Sequence, residues 1–278
     1  MALMEIWQAV VLGIVEGLTE FLPVSSTGHL TIAERLLNLH VDDPAVTAFT
    51  AVIQVGAIAA VILYFWRDIL RIGRGWFLGL LQAEHRADFD YRFGWYVIVG
   101  TIPILVVGLL GRGLVTGPLR NLWWVAGALV AWSGVMVAAE MVARQSRHEE
   151  DVRMVDSIVI GAAQCLALVP GVSRSGATIS VGLFRQLDRV TATRLAFFLS
   201  IPALTAAGIF ELRDALHGSV GVAPLAVGTI ISFVVALVSI AWLLRFVAHH
   251  SIVVFAIYRA GLGALLAGLL LSGVISPR

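Results

Sequence analysis

Glu16 and Glu20 lie four residues apart inside an apolar stretch, so on a helix they share one face. Two carboxylates at that spacing repel unless a cation or a shared proton lies between them. Oxygen donors of this kind favour a hard cation, Mg²⁺ or Ca²⁺, which makes both residues candidate metal ligands. The plainer alternative is that each acid only bonds backbone groups at a turn. Ser25-Ser26-Thr27-Gly28-His29 follows directly, read as a turn into a second helix with Ser26 or Thr27 near its N-cap. His29 then falls in the first turn, where it can move protons, and a neighbouring hydroxyl can act as nucleophile if a base activates it. A capping serine beside a hydrogen-bonded histidine is the alternative. Ser173-Arg174-Ser175-Gly176-Ala177-Thr178 opens another helix, whose free N–H groups and positive dipole end suit an anion. Arg174 adds a planar fork that fits phosphate oxygens, or else it neutralises Glu16 or Glu20.

These groups stand out because charge is scarce. Of 278 residues, 59% are hydrophobic and 13% charged, and the mean hydropathy is +0.92. A soluble domain carries about 25% charged residues, so a soluble enzyme, a disordered chain and a coiled coil are excluded. Net charge is +1, which gives no field to recruit nucleic acid. All 19 basic residues are arginine. The single cysteine, Cys165, excludes a disulfide framework and is read as a small core residue. Ionisable residues deep in apolar sequence are Glu16, Glu20, His29, Arg174 and Arg259. Each costs at least ~2.5–3.5 kcal/mol at the bilayer centre, and four of the five fall on two segments. Arg259 is expected to pair with a helix carbonyl or to snorkel, a structural role. Gln54 and Gln164 are polar, mid-segment supporting groups. His249-His250 reads as solvated surface, and Glu149-Glu150-Asp151 as a polar loop.

The elements that must position these groups are membrane helices. Apolar runs of spanning length are Ala48–Trp66, Phe93–Gly111, Asn121–Ala139, Leu195–Phe210 with its flanks, Gly218–Leu244 and about Ser251–Leu271. Trp66, Trp95, Trp123, Trp124 and Trp242 fall near span ends, where aromatic belts form. The N-terminal apolar run Ile6 to Val15 follows Glu5 and no basic residue, so it is expected to belong to the mature fold rather than to a signal peptide. Two further stretches, 3–38 and 154–187, are broken by Gly/Ser/Pro turns at 23–28 and 170–176. Their short halves fit re-entrant hairpins, since irregular backbone at membrane depth must be buried in protein or line a wet cavity. The two stretches align without gaps 148 residues apart: Gly13 with Gly161, Glu16 with Gln164, Leu18 with Leu166, Ser25 with Ser173, Gly28 with Gly176. Phe49 with Phe197 and Ile53 with Ile201 continue the match.

The expected fold is therefore an all-α polytopic membrane protein, one integral membrane domain over 1–278. It has six transmembrane helices plus two re-entrant helix-loop-helix hairpins in an inverted-topology repeat, with halves about 1–145 and 150–278. The repeat is inverted because each half contains three spans, an odd number. Arg35, Arg112, Arg120, Arg213 and Arg278 then fall on one face. Arg67, Arg71, Arg74, Arg86, Arg92, Arg144, Arg147, Arg153, Arg185, Arg189, Arg194 and Arg245 fall on the other, which the positive-inside rule puts in the cytoplasm. The combined residues suit phosphoryl hydrolysis by positioning and charge stabilisation. From the residues alone, a lipid phosphate or pyrophosphate hydrolase and an anion transporter both remain open. A polyprenyl-phosphate flippase would use the same midplane arginine and helix ends.

At Glu16-Gly17-Leu18-Thr19-Glu20-Phe21-Leu22-Pro23-Val24-Ser25-Ser26-Thr27-Gly28-His29-Leu30 the chain resembles the bacterial undecaprenyl pyrophosphate phosphatases of the bacitracin-resistance type. Pro170-Gly171-Val172-Ser173-Arg174-Ser175-Gly176-Ala177-Thr178 and Phe255-Ala256-Ile257-Tyr258-Arg259 carry the same resemblance. It implies hydrolysis of undecaprenyl diphosphate to undecaprenyl phosphate and inorganic phosphate, which recycles the lipid carrier of cell-wall synthesis. It further implies a divalent cation, Mg²⁺ or Ca²⁺, and a site open to the periplasmic face of the bacterial inner membrane. The implied partners are a polyprenyl diphosphate lipid and the membrane, with no nucleic acid and a homodimer left open. In residues, it implies Glu16 and Glu20 as the acidic pair, Ser26 and His29 as nucleophile and acid/base candidates, and Arg174 as phosphate ligand. Ser173, Ser175, Thr178 and Thr27 are implied to line the same pocket. Ser26 as nucleophile with His29 as acid/base is the favoured pairing. Thr27-Gly28-His29 superficially matches the Ser-Gly-His element of the other membrane lipid-phosphatase class, but no histidine follows Arg174 in its helix.

Overall fold

The computed structural model describes residues 4–41, 43–110, 121–215 and 221–276, with side chains omitted for 210–215. Eleven α-helices are described: α1 Ile6–Thr19, α2 Ser26–Leu36, α3 Pro44–Tyr64, α4 Trp66–Leu81, α5 Phe89–Leu110 and α6 Leu122–Val142. They continue as α7 Met154–Gln164, α8 Arg174–Phe184, α9 Arg189–Ala215, α10 Val222–His249 and α11 Val253–Leu271. Six are long and apolar enough to cross a membrane: α3, α5, α6, α9 through Ile209, α10 and α11. These are the six runs expected from sequence, with ends shifted by a few residues.

Both broken segments fold as helix–break–helix. α1 ends at Thr19 and α2 restarts at Ser26; α7 tightens into a 3-10 turn, Cys165–Leu168, before α8 starts at Arg174. The N-cap of α2 is Ser25, one residue earlier than expected, because Ser25 turns the chain at φ 77°. Ser173 does the same at φ 74° before α8. Non-glycine residues avoid this region, at a strain of roughly 1–3 kcal/mol. Cys165, expected in the core, is only half-buried on its turn.

Small residues let the broken segments sink between the long helices. A Cβ on Gly13 would lie 2.6 Å from Gly228 O, and one on Gly17 2.5 Å from Ser232 O, so α1 lies backbone to backbone on α10. On the other side α7 meets α5, where a Cβ on Gly161 would fall 1.8 Å from Gly100 O. Ser157 Oγ donates to Tyr96 O across that second seam, at 2.6 Å. Such small-xxx-small seams are how membrane helices gain packing without a hydrophobic drive between them. An aromatic chain runs through the main core: Phe21, at the start of the first break, packs edge-on against Phe197 of α9 at 5.4 Å. Phe198 in turn meets Phe65 and Phe93.

Two features of this frame were not expected. α4 is a 16-residue amphipathic helix where the sequence reading placed only loop arginines. It lies on α5 through Trp76 against Trp95 and through Arg71 Nη1 donating to Asp90 Oδ1 at 2.8 Å. The arginines at the same end are also paired rather than merely solvated. Asp156, completely buried, accepts from Arg147 and from Arg185 Nε, the latter at 2.8 Å; Arg194 bridges Asp68 and Glu149.

Candidate active site

The two breaks touch each other. Ser175 Oγ donates to Leu22 O at 2.9 Å, a bond from the second break to the first. Arg259 locks both from α11: Nη1 donates to Pro23 O at 3.1 Å, and Nη2 to Gly171 O at 2.8 Å and Val172 O at 2.9 Å. A fully buried guanidinium thus satisfies three carbonyls that the interrupted helices leave without partners. Of the two expectations for Arg259, the carbonyl pairing is what occurs.

Against the joined breaks lies a cavity of about 210 Å³. Glu20, Ser26, Thr27 and Gln54 line it from the first half of the chain, and Gln164, Ser173 and Arg174 from the second. Its remaining wall is apolar, from Ile104 of α5 and Ala203, Leu204 and Ala207 of α9. Pro103 and Pro202 sit inside those two helices beside the wall and interrupt their hydrogen-bond ladders there.

Glu20 organises the polar side. Its Oε1 accepts from Arg174 Nη2 at 2.6 Å and, at the limit of bonding, from Gln54 Nε2 at 3.5 Å. Its Oε2 accepts from Ser26 Oγ at 2.5 Å. Glu20 and Arg174 are both largely withdrawn from solvent, at 4% and 18% side-chain exposure, so their pairing is strong and directional. Among the described residues only one terminal nitrogen of Arg174 makes a hydrogen bond, and the rest of the fork suits an anion. Ser173 Oγ caps α8 by accepting from Gly176 N at 3.1 Å and lies 3.2 Å from Ser175 Oγ.

The expected residues divide accordingly. Glu20, Ser26, Thr27, Gln54, Gln164, Ser173 and Arg174 share the cavity; Glu16, His29, Ser175 and Thr178 do not line it. Glu16 is buried one turn before Glu20 on α1. Ser175 is occupied in joining the breaks. Thr178 is fully buried and its hydroxyl donates back to Arg174 O at 2.8 Å, bracing the first turn of α8.

The side chain hydrogen-bonded to the Ser26 hydroxyl is Glu20, while the His29 ring nitrogens bond elsewhere. The His29 ring is held against its own turn, with Nδ1 donating to Ser25 O at 2.8 Å. A carbonyl only accepts, which fixes the proton on Nδ1 and leaves Nε2 of the neutral ring to accept from Tyr258 OH at 2.7 Å. The two rings also stack, 5.6 Å apart and 13° from parallel. Tyr258 as the partner of His29 was not read from the sequence; its only signal there was its place beside Arg259 in the segment Phe255–Arg259.

The family model described as bacitracin resistance protein BacA matches residues 9–265. Undecaprenyl-diphosphatase 1 of Streptomyces avermitilis is 58% identical over 277 residues, covering 99% of this chain and 100% of the relative. Undecaprenyl-diphosphatase 1 of Frankia alni is 57% identical over the same length and coverage. Undecaprenyl-diphosphatase of Mycobacterium marinum is 51% identical over 280 residues, with 99% and 98% coverage. Matched over nearly its whole length, the chain belongs to the BacA family of bacitracin resistance proteins.

Proposed function

We propose that the protein is a membrane-embedded hydrolase that converts undecaprenyl diphosphate to undecaprenyl phosphate and inorganic phosphate. The observation that carries this reading is the Ser26–Glu20 bond inside a cavity that also holds Arg174. An anion carrier needs the arginine but has no use for a hydroxyl bonded to a carboxylate. In this mechanism Glu20 takes the Ser26 proton as Oγ attacks the terminal phosphorus. The bond from phosphorus to the bridging oxygen breaks, and the lipid monophosphate leaves with the electron pair. Water then cleaves the phosphoserine and restores Ser26. Arg174 holds the phosphoryl oxygens through the donors that Glu20 does not use. His29 braces the strained Ser25 turn that presents Ser26. The apolar wall of α5 and α9 suits the first units of a polyprenyl chain.

The donor set also fits a divalent cation, in a particular manner. Among the described residues no three His, Cys, Asp or Glu side chains form a cluster, so a cage made wholly of protein is not at hand. One wall carboxylate, Glu20, with Glu16 a turn behind it and Gln54 beside it, suits Mg²⁺ or Ca²⁺ that completes its shell with phosphate oxygens and water. Such an ion would neutralise charge on the diphosphate.

We read the two broken segments as re-entrant hairpins of an inverted repeat, opening to the periplasm in the inner membrane. Helices α1 and α7 are about 21 and 17 Å long at 1.5 Å per residue, too short to span. Helices α2 and α8 both have eleven residues and start 148 positions apart. Positive φ recurs at the same offset, at Ser25 and Ser173 and again at Asn38 and Gln186. The α1–α10 and α7–α5 seams exchange under that correspondence. Arg112, Arg120 and Arg278 of the orientation count lie outside the described residues, as does the Arg213 side chain.

The test is phosphate release from undecaprenyl diphosphate in detergent micelles. Wild type is expected to turn over, to stop when a chelator is added, and to restart with Mg²⁺ or Ca²⁺. Ser26→Ala and Glu20→Gln should each lower kcat/KM by about 10²–10⁴-fold. Wild type without turnover at any cation level, or Ser26→Ala with unchanged turnover, would sink the mechanism.

A further inference from the structure

Gln164 ends α7 where the helix tightens into its 3-10 turn, and the residue is part of the cavity wall. It is completely buried, and neither Nε2 nor Oε1 meets a hydrogen-bond partner. A primary amide withheld from water in this way is costly and persists only where something else compensates. Of the described residues that carry such atoms, Gln164 alone belongs to the wall of the cavity shared with Glu20, Ser26 and Arg174. Gln164 also occupies in the second half the position that Glu16 occupies in the first.

We propose that Gln164 is a direct ligand of the substrate's diphosphate, its Nε2 donating to an oxygen of the terminal phosphate that Arg174 also holds. This deepens the hydrolase reading and rests on it. The chemistry of the position favours an amide. The cavity already contains the Glu20 carboxylate, and a second acid on its wall would repel an anionic headgroup. Glutamine keeps the reach of glutamate but offers a donor and no charge. Its Oε1 is left for water carried in with the phosphate.

Three variants and one probe, inorganic pyrophosphate, test the assignment on the full chain in detergent. Gln164→Leu should raise the thermal midpoint of the ligand-free protein, because it removes the unpaired amide while filling similar volume. A structural glutamine would give the opposite sign. The same variant should weaken pyrophosphate binding in calorimetric titration by about 10- to 100-fold, with a matching fall in kcat/KM. Gln164→Asn, which keeps the amide but withdraws it by one methylene, should lose about tenfold and guards against a misfolded leucine variant. Gln164→Glu should bind pyrophosphate more weakly than Gln164→Leu. Wild-type affinity in the folded leucine and asparagine variants overturns the proposal, as does a wild type that binds no pyrophosphate. A wild type that binds pyrophosphate, with Gln164 variants that do not, but that fails to hydrolyse undecaprenyl diphosphate would retain the contact and refute the hydrolase reading instead.

Discussion

Arg259→Met separates the scaffold from the chemistry. Arg259 does not itself line the cavity, yet it donates three hydrogen bonds to backbone carbonyls of both breaks, one of them that of Gly171 on the cavity wall. Hydrogen bonds from a charged donor contribute about 1.5–3 kcal/mol each, so three amount to about 4–9 kcal/mol. Methionine also removes a buried cation, whose desolvation costs several kcal/mol and offsets part of that loss. The carbonyls of Pro23, Gly171 and Val172 cannot be mutated away and remain buried without donors. A net destabilisation of about 2–4 kcal/mol follows. Activity should fall as well, since the Ser26 and Arg174 turns are held together through this guanidinium, and a displacement near 1 Å can cost ~10²-fold. Arg259→Lys should recover little, because Nη1 serves one break and Nη2 the other, and an ammonium cannot span both. Thermal unfolding in detergent, followed by tryptophan fluorescence, and kcat/KM on the same preparations supply the two readouts. An Arg259→Met protein with an unchanged midpoint and kcat/KM within about threefold of wild type would show that the breaks hold together without the clamp.

Gly161→Ala should destabilise by at least about 2–3 kcal/mol by forcing α7 off α5. Gly134→Ala on α6, with nothing within 4 Å of its Cβ, should be neutral or mildly stabilising in the same unfolding assay; similar midpoints for the two would contradict the close seam. Ser25→Gly should stabilise by roughly 1 kcal/mol, since Ser25 sits at φ 77° and makes no side-chain cap bond, and a lowered midpoint would argue against strain there. Asp188 gives a pH signature. Burial pushes its carboxyl up, but bonds from the Thr191 backbone and hydroxyl and from His148 outweigh this and hold it below its ordinary value of 3.8. Its contribution is therefore complete above pH 3.8 and lost as pH falls through the lowered value. Asp188→Ala should cost about 1–2 kcal/mol at pH 7, with the gap to wild type narrowing below the carboxylate range; a gap constant down to pH 3 would refute this, as read by unfolding across a pH series.

What could be read from the sequence followed from one property of the solvent. In lipid an uncharged run of twenty residues has few alternatives to a helix, so the six long helices were visible as composition alone. A charge there has to be explained, so Glu20 and Arg174 identified themselves by being out of place, and they do share the cavity. The same logic could not assign partners. Spacing put His29 three residues after Ser26 and suggested the familiar serine–histidine pairing. Which base meets the hydroxyl was decided instead by a single positive φ at Ser25, which sends the Ser26 hydroxyl back to Glu20 while the imidazole folds onto its own turn. Thr178 was equally illegible: within a helix a threonine can satisfy itself on the preceding turn, and nothing in its sequence position shows that it does. Outside the membrane the argument from scarcity no longer applies, which is why α4 and the Asp156 ion-pair cluster were invisible among ordinary loop charges. Charge in the interior can thus be read as a site and charge at the ends only as orientation. Arg259 lies between the two cases: as conspicuous in the sequence as Arg174, it spends its donors on backbone. The difference between a ligand and a clamp depended on where two distant breaks place their carbonyls, information that residue type does not carry.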